Sequence, residues 1–231
     1  MKKRIGLQGC LIFLAVIVTV FFSKYLFPAW KKERIDEILD LIGIFVLMFG
    51  FLLRIAARGY KVEWSGEGKN LIKGGPYSLI RNPMYFGTLL IGLGITMVIF
   101  QWWVFLLYLS VYLAIYLPQI KKEEKFLLDR FGQEYQDYCK ATPRFFPRVT
   151  SLFRGNLRKC IFFKWSWIGR ELVSFSIVAV LVVFAESWKD SRLFGSIEFL
   201  KELAESITAV VAYAVFTVLL FHGKENPASK Q

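Results

Sequence analysis

Apolar runs long enough to cross a membrane alternate with basic, polar segments along this chain. The first run, Gly9–Phe27, is closed by Pro28 and the charged stretch Lys31–Glu37. The second covers Ile38–Ala57, with Arg54 near its end able to snorkel toward the same surface as Arg58. Phe86–Pro118 contains 33 residues without Asp, Glu, Lys or Arg. As one straight helix it would be about 50 Å long, too long for a single crossing. The pattern therefore predicts a hairpin of two spans, turning near Phe100-Gln-Trp-Trp103, where the tryptophans suit an interface. Leu172–Trp188 reads as a fifth span, Ser191–Glu205 as a short amphipathic stretch and Ile207–His222 as a sixth span. The predicted class is all-α: a multi-pass helical membrane protein with about six transmembrane helices.

Composition agrees with that class. The 231 residues are 55% hydrophobic and 17% aromatic, with mean hydropathy +0.45. The net charge of +12 does not point to nucleic acid, because the basic residues flank the apolar runs as a positive-inside bias requires. With a cytoplasmic N-terminus, the inside segments carry 22 Lys and Arg against 6 in the outside ones. Both long polar segments then face the cytoplasm. The basic start and first apolar run lack a small-residue cleavage site at Phe27-Pro-Ala-Trp, so they read as an uncleaved span. Cys10, Cys139 and Cys160 are far apart, and no His/Cys cluster has metal-ligand spacing. The chain divides on this reading into a core at 1–150, four spans plus a cytoplasmic helix, and a tail at 151–231 with two added spans. The basic, Trp-bearing stretch Asn156–Arg170 reads as an interfacial anchor on anionic lipid. The added spans could gate a substrate, provide the face of a homo-oligomer or brace the core.

Two polar stretches carry candidate chemistry. Gly74–Gly87, GGPYSLIRNPMYFG, runs directly into the apolar hairpin. Gly74, Gly75 and Pro76 break regular structure, and Pro83 disfavours a helical conformation at Asn82. Arg81, Tyr77 and Tyr85 beside lipid suggest a polar pocket at the bilayer surface, or else an interfacial turn with tyrosine belt and arginine anchor. The second stretch is Gln119–Tyr138, QIKKEEKFLLDRFGQEYQDY. Ile120, Leu127, Phe131, Tyr135 and Tyr138 share one helical face, with Glu124 inside it and Glu123 at its edge. A carboxylate on a buried face needs a partner. Glu124 is thus either a structural salt bridge to Arg81 or Arg144, or part of a working site. Gly132 interrupts the helix, and Ala141–Pro147 turns the chain back to the membrane. Because the hairpin returns to one side, the two stretches are predicted to face each other.

Together, GPYSLIRNPMYFG and the later EEKFLLDRFGQEYQDYCKATPRFFP resemble the integral-membrane methyltransferases of the isoprenylcysteine carboxyl methyltransferase and phospholipid methyltransferase group, over about Gly74–Pro147. The resemblance implies S-adenosyl-L-methionine in a cytoplasmic pocket and a lipid or prenylated acceptor entering from the bilayer. It assigns Gly75, Pro76, Tyr77, Arg81, Asn82, Pro83, Tyr85 and Gly87 to one wall. The other wall is Glu123, Glu124, Tyr135, Tyr138, Pro143 and Arg144. Arg81, Asn82, Tyr85, Glu124 and Arg144 stand at the catalytic positions. Gly92-Leu-Gly94 occupies the place of a Gly-x-Gly pair assigned to the cofactor in the phospholipid enzymes, although such a pair in a membrane helix also serves close packing.

The chemistry of the residues is consistent with those roles. The cofactor carries an ammonium, a sulfonium and a carboxylate, which a glutamate and an arginine can match. Methyl transfer is an in-line displacement, for which the protein positions and desolvates. One departure matters: Asn82 stands where the group usually has His, and an amide cannot accept and release a proton near neutral pH. This tilts the expected acceptor toward a carboxylate that arrives ionised, as in isoprenylcysteine, over an amine such as phosphatidylethanolamine. A non-catalytic membrane scaffold keeping the fold is the alternative of another class. His222, far from both motifs, reads as interfacial.

Overall fold

A computed structural model describes residues 18–19, 21–27, 34–66, 68–146, 164–168, 175–176, 178–182, 184–185 and 204. All regular structure among them is helical. The chain divides into two compact units, Met1–Glu171 and Leu172–Gln231. In the first, the helices are α1 (Arg34–Trp64), α2 (Pro76–Leu79), α3 (Pro83–Ile99), α4 (Trp102–Ala141) and α5 (Trp165–Ile168). In the second, residues 178–182 are helical, within the expected fifth span. Most of the expected first span, the whole sixth span, Cys10, Cys160 and His222 lie outside the described residues.

Helices α1 and α4 are long and apolar enough to cross a membrane, and α3 is a shorter apolar helix between them. Large apolar side chains such as Phe45, Leu52, Leu106 and Val111 are exposed on α1 and α4, which suits lipid as the surrounding solvent. The hairpin forms where the uncharged run predicted it. Between α3 and α4 the chain is extended at Phe100 and Gln101. The Gln101 amide donates to the Leu26 carbonyl at 3.0 Å, and its side chain donates to the Phe27 carbonyl at 3.1 Å. The end of the first apolar run is thereby tied to the hairpin tip.

The α1–α3 seam is built on glycine. A Cβ added to Gly50 would lie 2.8 Å from the Gly87 carbonyl oxygen, and one added to Gly94 would lie 2.6 Å from that of Gly43. The two pairs, seven residues apart on each helix, hold antiparallel backbones in contact. Further along α1, Ala56 and Ala57 are fully buried. The tight seam sets α3 at a fixed height against α1, and so positions the loop that precedes α3.

Three features differ from the expectation. The first polar loop does not begin at Arg58, because α1 continues to Trp64. Its last turns are held from outside: Gly59 packs beneath the Trp167 ring, and Tyr60 lies under Gly74 and Gly75. Charge alone does not end a helix, whereas Gly66, at φ 50°, does. Second, the fourth span and the polar helix after it are continuous through Pro118, while the expected break at Gly132 is present (φ 50°, ψ −122°). Third, Arg54 turns inward: its Nη1 donates to Thr88 Oγ1 on α3 at 2.9 Å.

Candidate active site

The loop before α3 is shaped by its own breakers. Gly75 sits at φ 58°, with the face of Tyr60 so close that a Cβ would lie 2.6 Å from the ring. Glycine alone tolerates both demands. Pro76 begins the single turn of α2, and Pro83 starts α3 directly after Asn82 (φ −122°, ψ 56°). This geometry turns the loop back toward α4. The Arg81 amide then donates to the Pro143 carbonyl at 2.9 Å, and the Tyr138 hydroxyl to the Tyr77 carbonyl at 2.7 Å. The two motifs, about 60 residues apart, close on each other.

Glu124 is the centre of that closure. It is buried, and its carboxylate accepts from Arg144 Nε at 3.2 Å and from Arg144 Nη2 in a two-pronged pair. Arg81 Nη1 lies 3.4 Å from the same group, and Asn82 Nδ2 donates to it at 3.3 Å. The salt-bridge alternative for Glu124 is therefore present in the structure, with both named arginines taking part. The hydrogen bond to Glu124 raises the Arg144 pKa above its ordinary value.

Its neighbour Glu123 points elsewhere. It accepts from the Tyr85 hydroxyl at 2.7 Å and from Gln119 at 3.3 Å, both neutral donors. Tyr85 is fixed in turn, since its carbonyl accepts from the Tyr112 hydroxyl at 2.6 Å and its ring meets Tyr116 edge-on. Tyr108, Tyr112 and Tyr116, at four-residue spacing on α4, form an aromatic column against α3. The sequence reading did not single out this column; its spacing within an uncharged run was the available signal.

A cavity of about 240 Å³ lies at this junction. Of the residues expected there, Tyr77, Arg81, Asn82, Pro83 and Tyr85 line it from the first motif. Glu123, Glu124, Tyr135 and Tyr138 line it from the second. Arg144 reaches the site through Glu124. Gly75, Pro76, Gly87, Gly92 and Gly94 are not at the lining. Gly75 faces Tyr60, Gly87 faces Gly50, Gly94 faces Gly43 and Leu47, and a Cβ on Gly92 would lie 2.1 Å from the Tyr108 ring. Pro76 is wholly buried. The Gly92–Gly94 pair thus stands in helix packing, about two turns deeper along α3 than Tyr85.

The lining also includes Lys61 at the end of α1 and Ser65 and Asn70 in the following loop, which neither motif contained, and Phe126 and Arg130, motif residues on α4 that were not singled out. That loop turns on itself, with the Gly68 and Asn70 amides donating to the Ser65 carbonyl. Lys73 pairs with Glu134 at 2.8 Å and ties the loop to α4. Its Ser-Gly-Glu-Gly-Lys-Asn composition signalled a turn but not that it would wall a pocket.

The site suits a small ligand bearing charges of both signs. Arg81 Nε is buried without a hydrogen-bond partner among the described residues, so it is a donor available to a carboxylate. Glu123 offers a carboxylate in the same cavity, and Met84, Leu127 and Phe131 offer apolar surface. Burial, followed by the negative charge of Glu123, pushes the Tyr77 pKa well above the ordinary phenol value, so this hydroxyl stays neutral.

A family model described as phospholipid methyltransferase matches residues 40–134, which contain most of α1, the first motif, the hairpin and most of α4. The cobalt-zinc-cadmium resistance protein CzcN of Cupriavidus metallidurans is 32% identical over 144 residues. That match covers 61% of this chain and 64% of CzcN. The nickel-cobalt-cadmium resistance protein NccN of Alcaligenes xylosoxydans xylosoxydans is 36% identical over 163 residues, 67% of this chain and 68% of its own. No solved structure matches.

Proposed function

The chain belongs to the phospholipid methyltransferase family, and on that premise we propose that it is a multi-pass membrane enzyme transferring a methyl group from S-adenosyl-L-methionine to a lipophilic acceptor. The observation that carries the reading is the junction of the two motifs: Arg81, whose Nε has no hydrogen-bond partner among the described residues, and Glu123 line the same cavity. Arg81 would hold the cofactor carboxylate, and Glu123, oriented by Tyr85, its ammonium. Bound there, the cofactor supplies an electrophilic methyl on sulfur. Glu124 acts as the keystone that fixes Arg81, Asn82 and Arg144 around the pocket. In this reading the pocket faces the cytoplasm, in keeping with the distribution of Lys and Arg.

The acceptor that the site serves best arrives ionised. Asn82 cannot take a proton, Tyr77 is held neutral, and Glu124 is committed to two arginines. These features favour a carboxylate, as in a prenylated cysteine, over a phospholipid amine. The two relatives are named for metal resistance. Among the described residues no group of three His, Cys, Asp or Glu side chains is placed to hold a metal ion. A role of this kind would then run through the methylated product.

Calorimetry on detergent-purified protein tests the proposal. Micromolar binding of S-adenosylhomocysteine, weakened at least about tenfold in both Glu123→Gln and Arg81→Ala, is expected. Folded wild-type protein that does not bind it would overturn the reading.

A further inference from the structure

A second, more open cavity of about 410 Å³ backs onto the first, with Arg81, Glu124 and Tyr135 in the wall between them. Its charge is different in kind. The first cavity sets Lys61, Arg81 and Arg130 against Glu123 and Glu124, near balance. Among the described residues, the second sets Arg81, Lys121, Lys125 and Arg144 against Glu124 alone. That one carboxylate already accepts from Arg144 and lies beside Arg81. Lys121 and Lys125 therefore add positive charge that no acidic side chain among the described lining residues offsets.

The position of this cavity matters as much as its charge. Lys121 stands three residues beyond Pro118, where the uncharged run of α4 ends, and Lys125 is one turn further on the same face. Beside Arg144, the exposed Phe146 ring packs edge-on against Phe86 in the first turn of α3. The basic cavity thus opens where apolar helix surface gives way to polar. A soluble anion has no use for that border, whereas an amphiphile has its head and tail divided there.

We propose that this second cavity binds the anionic head, a phosphate or carboxylate, of the amphiphilic acceptor, with Lys121 and Lys125 as its specificity-determining residues. The inference rests on the methyltransferase reading for the word acceptor, but not for the binding of the anion. Lys121 and Lys125 act by charge selection at the entrance, leaving the contacts of the first cavity intact.

The test titrates full-length protein in a neutral detergent with dihexanoyl phosphatidic acid, dihexanoyl phosphatidylcholine and inorganic phosphate, and separately with S-adenosylhomocysteine. The phosphatidic acid is expected to bind at least about tenfold tighter than either of the other two probes. The Lys121→Ala/Lys125→Ala variant should lose that preference, and Lys121→Arg/Lys125→Arg should keep it. Retained binding of S-adenosylhomocysteine reports that the alanine variant is folded. Equal binding of phosphatidic acid by wild type and alanine variant would overturn the proposal. So would equal binding of the zwitterionic lipid, and free phosphate binding as tightly as the lipid would replace it with a simple anion site. Phosphatidic acid binding without S-adenosylhomocysteine binding would sink the methyltransferase reading while leaving the anion site standing.

Discussion

Asn82 Nδ2 lies 3.3 Å from Glu124 Oε1 and 3.3 Å from the Arg144 carbonyl, so one amide braces both the buried carboxylate and the segment that neutralises it. The residue at this position works as a strut, a task that needs donors and not a titrating group. Asn82→Ala should weaken S-adenosylhomocysteine binding by about fivefold, the worth of one ordinary hydrogen bond, because Asn82 acts through Glu124. The pH profile of that binding, followed by calorimetry between about pH 6 and pH 9, should keep its shape. A profile that changes shape would show that Asn82 shapes a titrating group.

Glu124 holds two arginines, and its removal leaves positive charge in a partly buried site. Glu124→Ala should lower unfolding stability by about 2 kcal/mol, less than for a fully buried pair because Arg144 is half-exposed. Arg144→Lys keeps the charge but not the two-pronged geometry, and should fall between the two proteins. Thermal unfolding in detergent measures both. A Glu124→Ala protein as stable as the wild type would deny the keystone role.

Tyr85 lines the pocket and donates its hydroxyl to Glu123 at 2.7 Å. Tyr85→Phe should leave stability nearly unchanged and weaken S-adenosylhomocysteine about fivefold, since the carboxylate loses an orienting donor. Calorimetry beside thermal unfolding separates the two effects. An unchanged affinity would remove Tyr85 from the pocket machinery.

Gly94 offers a direct choice between packing and ligand contact. A methyl there would lie 2.6 Å from the Gly43 carbonyl and from Leu47 Cβ, forcing α1 and α3 apart. Gly94→Ala should cost about 1–3 kcal/mol of stability while the folded fraction binds S-adenosylhomocysteine normally. The opposite result, stable protein with lost affinity, would restore the cofactor role that the Gly-x-Gly resemblance implies.

Much of the fold was legible because membrane helices leave a coarse signal. A run of 33 uncharged residues has to turn once, and the turn falls at Phe100 and Gln101, beside Trp102 and Trp103. Gly132 was legible as a break because no side chain competes with its left-handed backbone. The extension of α1 to Trp64 was not legible, since the contacts that hold its last turns come from Gly74, Gly75 and Trp167.

The sequence by itself determined that two polar motifs end up on one side of an apolar hairpin, because helix length and charge distribution follow from residue type alone. It also determined that Glu124 lies on an inner face and Glu123 at its edge, about 100° apart on the helix. Only the tertiary structure decided that Glu124 pairs with two arginines and that Glu123 accepts from Tyr85. It alone decided, too, that Gly94 meets Gly43 and Leu47, that Gly92 faces Tyr108 and that the loop after α1 walls the pocket. The physical reason is the same in each case. Periodicity states which way a side chain points, but its partner comes from a segment many residues away, and only the packed chain brings the two within reach.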